Sequence, residues 1–259
     1  MTRRGFLLAG SAAALGWSQT RTRFLTEVAR KVELAFPTPG PQPNGLQATP
    51  HGLWILDQKT NRASLVSYED GRPLREIETE SDRGSGITFD GEALWIASTY
   101  NALLLRVDPG SGRTLKKLPT PGAGVVKWGT RGSNPAVTGA HGLEFRRNQL
   151  WVAVPPAVTI YVLHPEDGTV LRSFAAPGVR PHGLGWDPDG ALWCAESNYR
   201  AFFKIAPASG RILRQILLPA AEPEVNGAVV VPHGMTVWNR QIWFCVAETA
   251  QVYRLPLEG

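Results

Sequence analysis

The chain repeats one short pattern five times. A glycine and an apolar residue recur, and a Leu-Trp or Ile-Trp pair follows seven to nine residues later. Asn44-Gly45-Leu46 leads to Leu53-Trp54, Ser85-Gly86-Ile87 to Leu94-Trp95, and His141-Gly142-Leu143 to Leu150-Trp151. His182-Gly183-Leu184 leads to Leu192-Trp193, and His233-Gly234-Met235 to Ile242-Trp243. Successive glycines are 41, 56, 41 and 51 residues apart. Beyond the Trp comes a third apolar run, such as Leu103–Val107, Ile160–Leu163 or Phe202–Ile205. A turn follows (YEDGR, DPGSGR, HPEDGT or APASGR), then a fourth run such as TLKKL, VLRSF or ILRQIL. Asp187-Pro188-Asp189-Gly190 is a turn sequence at a first hairpin, where Gly supplies positive φ. Four short antiparallel strands repeated at about 41 residues predict β-propeller blades.

The arithmetic gives an all-β, five-bladed propeller. After VYRLPLEG the last unit is one strand short. Val32–Gly40, VELAFPTPG, matches the fourth strand and exit of the second unit, TLKKLPTPG. The N-terminal segment is therefore expected to supply the missing outer strand, pairing two otherwise exposed edges and closing the ring. The tryptophans recur at one position per unit and read as packing residues between neighbouring sheets. The 27 Gly, 21 Pro and 9 Trp in 259 residues suit short strands and tight turns.

A formal charge of +5, with 19% charged residues, carries no basic patch interleaved with aromatics, so nucleic acid is not an expected partner. Thr2-Arg3-Arg4-Gly5-Phe6-Leu7-Leu8 and the weakly apolar run to Leu15 resemble a twin-arginine export leader. Ala14-Leu15-Gly16 is a poorly marked cleavage site. The expected organisation is a leader over 1–16, a linker over 17–31 and the propeller over 32–259, in a periplasmic or extracellular monomer that meets the membrane only if the leader is retained. Cys194 and Cys245 are the only cysteines. They stand one and two residues after their Trp, on opposite faces of period-2 strands, and read as small buried hydrophobes rather than a disulfide.

The register also organises the chemistry. A strand's start lies beside the end of its antiparallel neighbour. His182 and Glu196 should therefore meet on the face where the central channel opens. His141, His182 and His233 share one position in three consecutive blades, and Glu248 follows His233 by fifteen residues. Asp57 is expected at the matching place in blade one, Ser85 and Thr99 in blade two, and Pro155 in blade three. Three converging imidazoles could hold Zn, Fe, Mn or Mg with an open position. Equally, duplication carries residues along, and a histidine before Gly can simply bond a neighbouring blade. His51 and His164 fall in loops outside this set. The long spacing before the third unit implies an insertion, GAGVVKWGTRGSNPAVTGA, on the histidine face. Its Lys127, Trp128 and Arg131 are candidate substrate-binding residues. PAAEPEVNGAVVVP, before His233, reaches the same face.

The stretch RPHGLGWDPDGALWCAESNYRAFFKIAPASGRILRQILLP resembles the repeat of the streptogramin (virginiamycin B) lyases, with its P-H-G, D-G, L-W and S-G-R elements. Those enzymes linearise a cyclic ester antibiotic by metal-assisted elimination. The resemblance implies that His182 and Glu196, and less directly His233 and Glu248, bind a divalent metal or move protons. The lyases have seven blades, and this chain has Cys194-Ala195-Glu196 where they carry F-T-E. Plant-type glutaminyl cyclases are similar in size and blade number, but this chain lacks the glutamate of their inner-strand E-G-L pattern. The expected function is a metal-dependent lyase with metal ligands His141, His182 and His233, and with Glu196, Glu248 and His182 catalytic. A lactonase-type hydrolase and a non-catalytic module binding a protein or glycan in the envelope are the alternatives.

Overall fold

The computed structural model describes residues 24–127, 133–219 and 231–258. The export leader and its cleavage site lie outside these residues. An edge strand β1 (Leu25–Val28) and β2 (Glu33–Pro37) come first. Blade one is β3 (Pro43–Thr49), β4 (Gly52–Asp57), β5 (Arg62–Val66) and β6 (Pro73–Glu78). Blade two is β7 (Gly86–Phe89), β8 (Leu94–Ser98), β9 (Leu103–Val107) and β10 (Thr114–Pro119). A separate hairpin, β11 (Gly124–Lys127) and β12 (Ser133–Thr138), is the insertion. Blade three is β13 (Gly142–Arg146), β14 (Gln149–Val154), β15 (Thr159–Leu163) and β16 (Val170–Ala175). Blade four is β17 (Pro181–Trp186), β18 (Leu192–Glu196), β19 (Ala201–Ile205) and β20 (Ile212–Leu217). The last strands are β21 (Met235–Trp238), β22 (Gln241–Val246) and β23 (Gln251–Pro256).

The fold is the expected five-bladed propeller. β2 pairs antiparallel with β23, Leu34 opposite Tyr253, so the N-terminal segment completes blade five and closes the ring. The segment expected as a linker also contributes structure. β1 adds to blade four as a fifth, outermost strand, parallel to β20 with Leu25 opposite Arg214. Its four residues carry no strong alternation, with Leu25 and Val28 exposed, so only the free edge of β20 recruits it.

Each blade packs on the next through its tryptophan. Trp54 joins the apolar cluster of blades one and two, Trp95 that of two and three, and Trp151 that of three and four. Trp193 joins blades four and five, and Trp243 joins five back to one. A buried ring of this kind removes about 150–250 Å² from water, worth about 4–6 kcal/mol in area terms. Cys194 and Cys245 are free and fully buried, as small hydrophobes in two different clusters.

The repeat glycines have a steric cause. A Cβ on Gly86 would lie 3.0 Å from the His141 carbonyl, and one on Gly234 would lie 2.6 Å from Cα of Gly45. Gly45 abuts blade two, Gly142 blade four and Gly183 blade five in the same way. Five inner strands thus converge backbone to backbone around the axis, and the channel is closed at this level. In a ring of only five blades no side chain fits there.

Candidate functional site

The residue before each of these glycines forms a second ring above the first. Asn44, Ser85, His141, His182 and His233 are all buried at the start of the inner strands. The ladder slips between Pro181 and Leu184, a bulge that turns His182 and Gly183 out of regular pairing. Gly183 N–H instead donates to the His233 carbonyl at 3.1 Å, tying blade four to blade five.

The three imidazoles stack edge to face, with centroids 4.8 Å apart for His141–His182 and 5.0 Å for His182–His233. Nδ1 of His141 and Nε2 of His182 are 3.1 Å apart and share one proton. Whichever ring donates, Nε2 of His141 and Nδ1 of His182 are left buried without a protein partner. One of these is then an N–H and the other a lone pair. His233 is fixed more firmly: Nδ1–H donates to the Val231 carbonyl at 3.1 Å, so its Nε2 is the lone pair, 3.5 Å from Nη2 of Arg180. All three rings stay neutral. Burial first, and the Arg180 charge second, lower His141 and His233 to about 3. Burial, then its two histidine neighbours, push His182 well below the ordinary value.

The carboxylates sort by where their strands end. Glu196 is the last residue of β18 and is completely buried. Its Oε1 accepts backbone N–H groups of Val179 (2.9 Å) and Arg180 (2.5 Å), and its Oε2 accepts that of Tyr199 (2.5 Å). Asp57 ends β4 and does the same, accepting Gln42, Lys59 and Thr60 N–H groups. Ser98 ends β8 and accepts Asp82 N–H at 2.7 Å. These residues clamp the loop that enters each inner strand. The equivalent positions in blades two and three are thus Ser98 and Val154, one residue before the expected Thr99 and Pro155. Thr99 instead donates to the Ala140 carbonyl at 2.9 Å. Glu248 lies two residues beyond the end of β22, because β22 pairs through Val246 at the position Glu196 occupies. Its Oε2 is 3.8 Å from Nδ1 of His233, beyond hydrogen-bond reach of that neutral ring. Burial raises the Glu248 pKa above the usual carboxylate range.

One cavity of about 210 Å³ opens here, lined by Asn44, Tyr100, His141, Arg180, His233 and Glu248 among others, while His182 and Glu196 are fully buried behind its wall. Val126 and Thr138, from the insertion hairpin, line it too, which puts the insertion on the histidine face. Lys127 is the next residue of β11, paired with Ser133. Trp128 and Arg131 lie outside the described residues, as does most of the extension before His233. His51 and His164 stand apart from the cluster: His51 is exposed, and His164 sits in a turn 3.7 Å from Asp167. Arg180 was not anticipated. It occurs once, two residues before His182, so no repeat marks it; the only hint is a cation beside Pro-His-Gly.

As placed, the imidazoles do not fit a shared divalent cation. Among the described residues no three His, Cys, Asp or Glu side chains are grouped to hold a metal. Glu196 is engaged by backbone N–H groups, and the guanidinium of Arg180 faces the Nε2 that His233 would offer. The arrangement can instead hold an anionic or carbonyl oxygen at Arg180, with neutral donors and acceptors around it and a proton acceptor at Glu248.

No family model matches the chain, and no curated protein matches it. Among solved structures it is similar to glutaminyl cyclase of Myxococcus xanthus, with 14% identity, TM-score 0.67, and 90% of this chain and 97% of that one covered. It is similar to virginiamycin B lyase of Staphylococcus aureus, seen as an inactive variant with quinupristin: 21% identity, TM-score 0.50, 84% and 67% of the two chains. A streptogramin B lyase structure is a third neighbour, with 16% identity, TM-score 0.50, and 87% and 97% covered. At these identities the likeness is one of fold: this chain is a propeller built like the streptogramin lyases and the glutaminyl cyclases.

Proposed function

We propose that the channel mouth is the catalytic site of an exported propeller enzyme, a lyase acting by elimination on an ester- or lactone-type substrate. The observation that carries this reading is the convergence on one cavity of a guanidinium, neutral imidazoles and a partly exposed carboxylate of raised pKa. In the reaction Glu248 takes a proton from carbon, the neighbouring C–O bond breaks, a C=C bond forms, and a carboxylate leaves. Arg180 holds the ester carbonyl and then the departing carboxylate. His233 positions Arg180 through Nε2, while His141 orients the substrate's polar groups and His182, buried behind it, fixes the His141 ring through the 3.1 Å contact. Glu196 acts one step back, by holding the Arg180 backbone.

The test is turnover of a cyclic depsipeptide lactone, read by mass spectrometry. Elimination linearises it with no change in mass, whereas a lactonase-type hydrolase adds one water. A peptide with N-terminal glutamine, offered because of the cyclase likeness, would lose ammonia. Glu248→Gln should cut turnover by about 100-fold or more, the usual scale for a general base. Parent-like activity in that variant would remove Glu248 from the mechanism. Turnover of no substrate, with alanine tolerated at His141, His182 and His233, would favour the envelope-binding module.

A metal-assisted version is favoured by one observation, the two unpartnered nitrogens of His141 and His182. It requires Arg180 to leave His233. Near-stoichiometric Zn, Fe, Mn or Mg in the purified protein, lost in His182→Ala, would select it. Export is checked by fractionation: an Arg3→Lys, Arg4→Lys double variant should accumulate inside the inner membrane.

A further inference from the structure

On the face opposite the histidines, blades two and four repeat one small device. The indole N–H of Trp95 donates to Oδ2 of Asp90 at 3.0 Å, and that of Trp193 to Oδ2 of Asp187 at 2.7 Å. Each aspartate also holds a cation from the third strand: Arg106 at 2.7 Å and Lys204 at 3.0 Å. The device is an indole donor, a cation, and a carboxylate between them.

Blade three keeps the donors and the positive charge but not the carboxylate. The residue in the place of Asp90 is Arg146, followed by Arg147, and the third-strand position opposite Trp151 is Val162. The cation comes instead from β16, with Arg172 over the Trp151 ring at 4.8 Å. Arg146 lies over the Trp186 ring at 4.6 Å, and the two indoles meet edge to face at 5.0 Å. Trp151 is 2% exposed, and its Nε1 has no acceptor. Nε1 of Trp186 has none either. Blade five also leaves an indole, that of Trp243, unpartnered, but there the aspartate's place is taken by Trp238, stacked on Tyr68, and the arginine over the ring, Arg254 at 5.4 Å, is already paired with Glu33 at 3.1 Å. Arg146, Arg147, Arg172, Trp151 and Trp186 line one cavity of about 120 Å³, with no carboxylate in its wall. Among the described residues none of the three arginines is in an ion pair.

We infer that this groove between blades three and four is an oxyanion-binding site. A carboxylate or phosphate group of a ligand supplies from outside the negative charge that Asp90 and Asp187 supply from within. Guanidinium forks are donors without acceptor capacity, so the site selects for anions over neutral ligands, and the buried indole N–H groups of Trp151 and Trp186 add positive potential behind them. The site is separate from the channel mouth and does not depend on the reaction proposed there.

The test uses the full chain, titrated with sodium phosphate or sodium acetate at an ionic strength held constant with sodium chloride. Thermal unfolding and tryptophan fluorescence are followed. A saturable rise in the unfolding midpoint with an oxyanion, beyond that given by chloride, is expected. Phosphate acting more strongly than acetate would indicate a phosphate-bearing ligand, and the reverse a carboxylate. Arg146→Asp installs the carboxylate of blade two and should abolish the response. Arg172→Gln, at an exposed position, should weaken it by about tenfold, the loss of one charge-assisted contact. If Arg146→Asp does not fold, Arg146→Gln serves with Arg172→Gln. The inference is overturned if neither oxyanion exceeds chloride, or if the folded variants respond like the parent, which would place the anion elsewhere, for example at Arg180.

Discussion

Glu196 and Glu248 both follow a Leu-Trp or Ile-Trp pair; Glu196 lies across from Pro181, and Glu248 lies 3.8 Å from His233. They differ by where the strand stops. Glu196 ends β18, points back into the protein and receives three backbone N–H groups. Glu248 lies two residues past β22, at the rim of the cavity, with its side chain 31% exposed. The first position makes a carboxylate a clamp on the chain; the second leaves it for chemistry. Glu144 is a third case. It too is buried but accepts one backbone N–H, that of Phe145 at 3.2 Å, and its desolvation pushes its pKa up to about 8. The two buried acids differ in the number of backbone N–H donors facing each, three for Glu196 and one for Glu144.

Breaking the clamp should have the largest effect. Glu196→Ala leaves the Val179, Arg180 and Tyr199 N–H groups without acceptors and should cost about 3–5 kcal/mol in urea unfolding, taking hydrogen bonds to charged groups at 1.5–3 kcal/mol each with partial relaxation. A loss under about 1 kcal/mol would show that the loop holds itself.

Acid should come next. The histidines have folded-state pKa values below the unfolded value near 6.5, so the unfolded chain binds more protons as pH falls. Their stabilisation is present above pH 6.5 and is lost as pH falls toward about 3. Arg180→Gln removes a charge that opposes their protonation and should make this loss shallower; an unchanged acid profile would exclude Arg180 as a cause.

Glu144→Gln tests the middle case. A carboxyl with a folded pKa near 8 and an ordinary unfolded value near 4.5 gives stability that is present below pH 4.5 and fades as pH rises through 8. The variant should therefore match the parent near pH 5 and exceed its midpoint temperature at pH 9. Equal midpoints at both pH values would mean that Glu144 is already ionised.

Glu248→Gln should have the smallest effect on stability, within about 0.5 kcal/mol at pH 7, while having a large effect on turnover. A destabilisation resembling that of Glu196→Ala would erase the distinction between the two residues.

Period and register were legible in the chain. The five glycine-to-tryptophan units announced five blades, and VELAFPTPG announced the strand that closes the ring. The buried tryptophans and the meeting of His141, His182 and His233 followed from the same register. The two-residue offset of Glu248 shows when counted from the tryptophans, five residues from Trp243 against three from Trp193 to Glu196, but is concealed when counted from the histidines, and pairing of β22 through Val246 displays it. Arg180 carries no repeat, and β1 carries little alternation, so neither announces itself.

The sequence by itself therefore determined the blade count, the strand order, the packing tryptophans and the meeting of the three histidines. These follow from spacing along the chain, which local backbone geometry converts directly into position. Only the tertiary structure decided that the inner glycines touch backbone to backbone, that Glu196 serves the loop, and that Arg180 stands against His233. It also decided that the Trp151 indole lacks the acceptor that those of Trp95 and Trp193 have. Each of these depends on which donors and charges residues far apart in sequence bring within about 3–4 Å, where hydrogen bonds and ion pairs act.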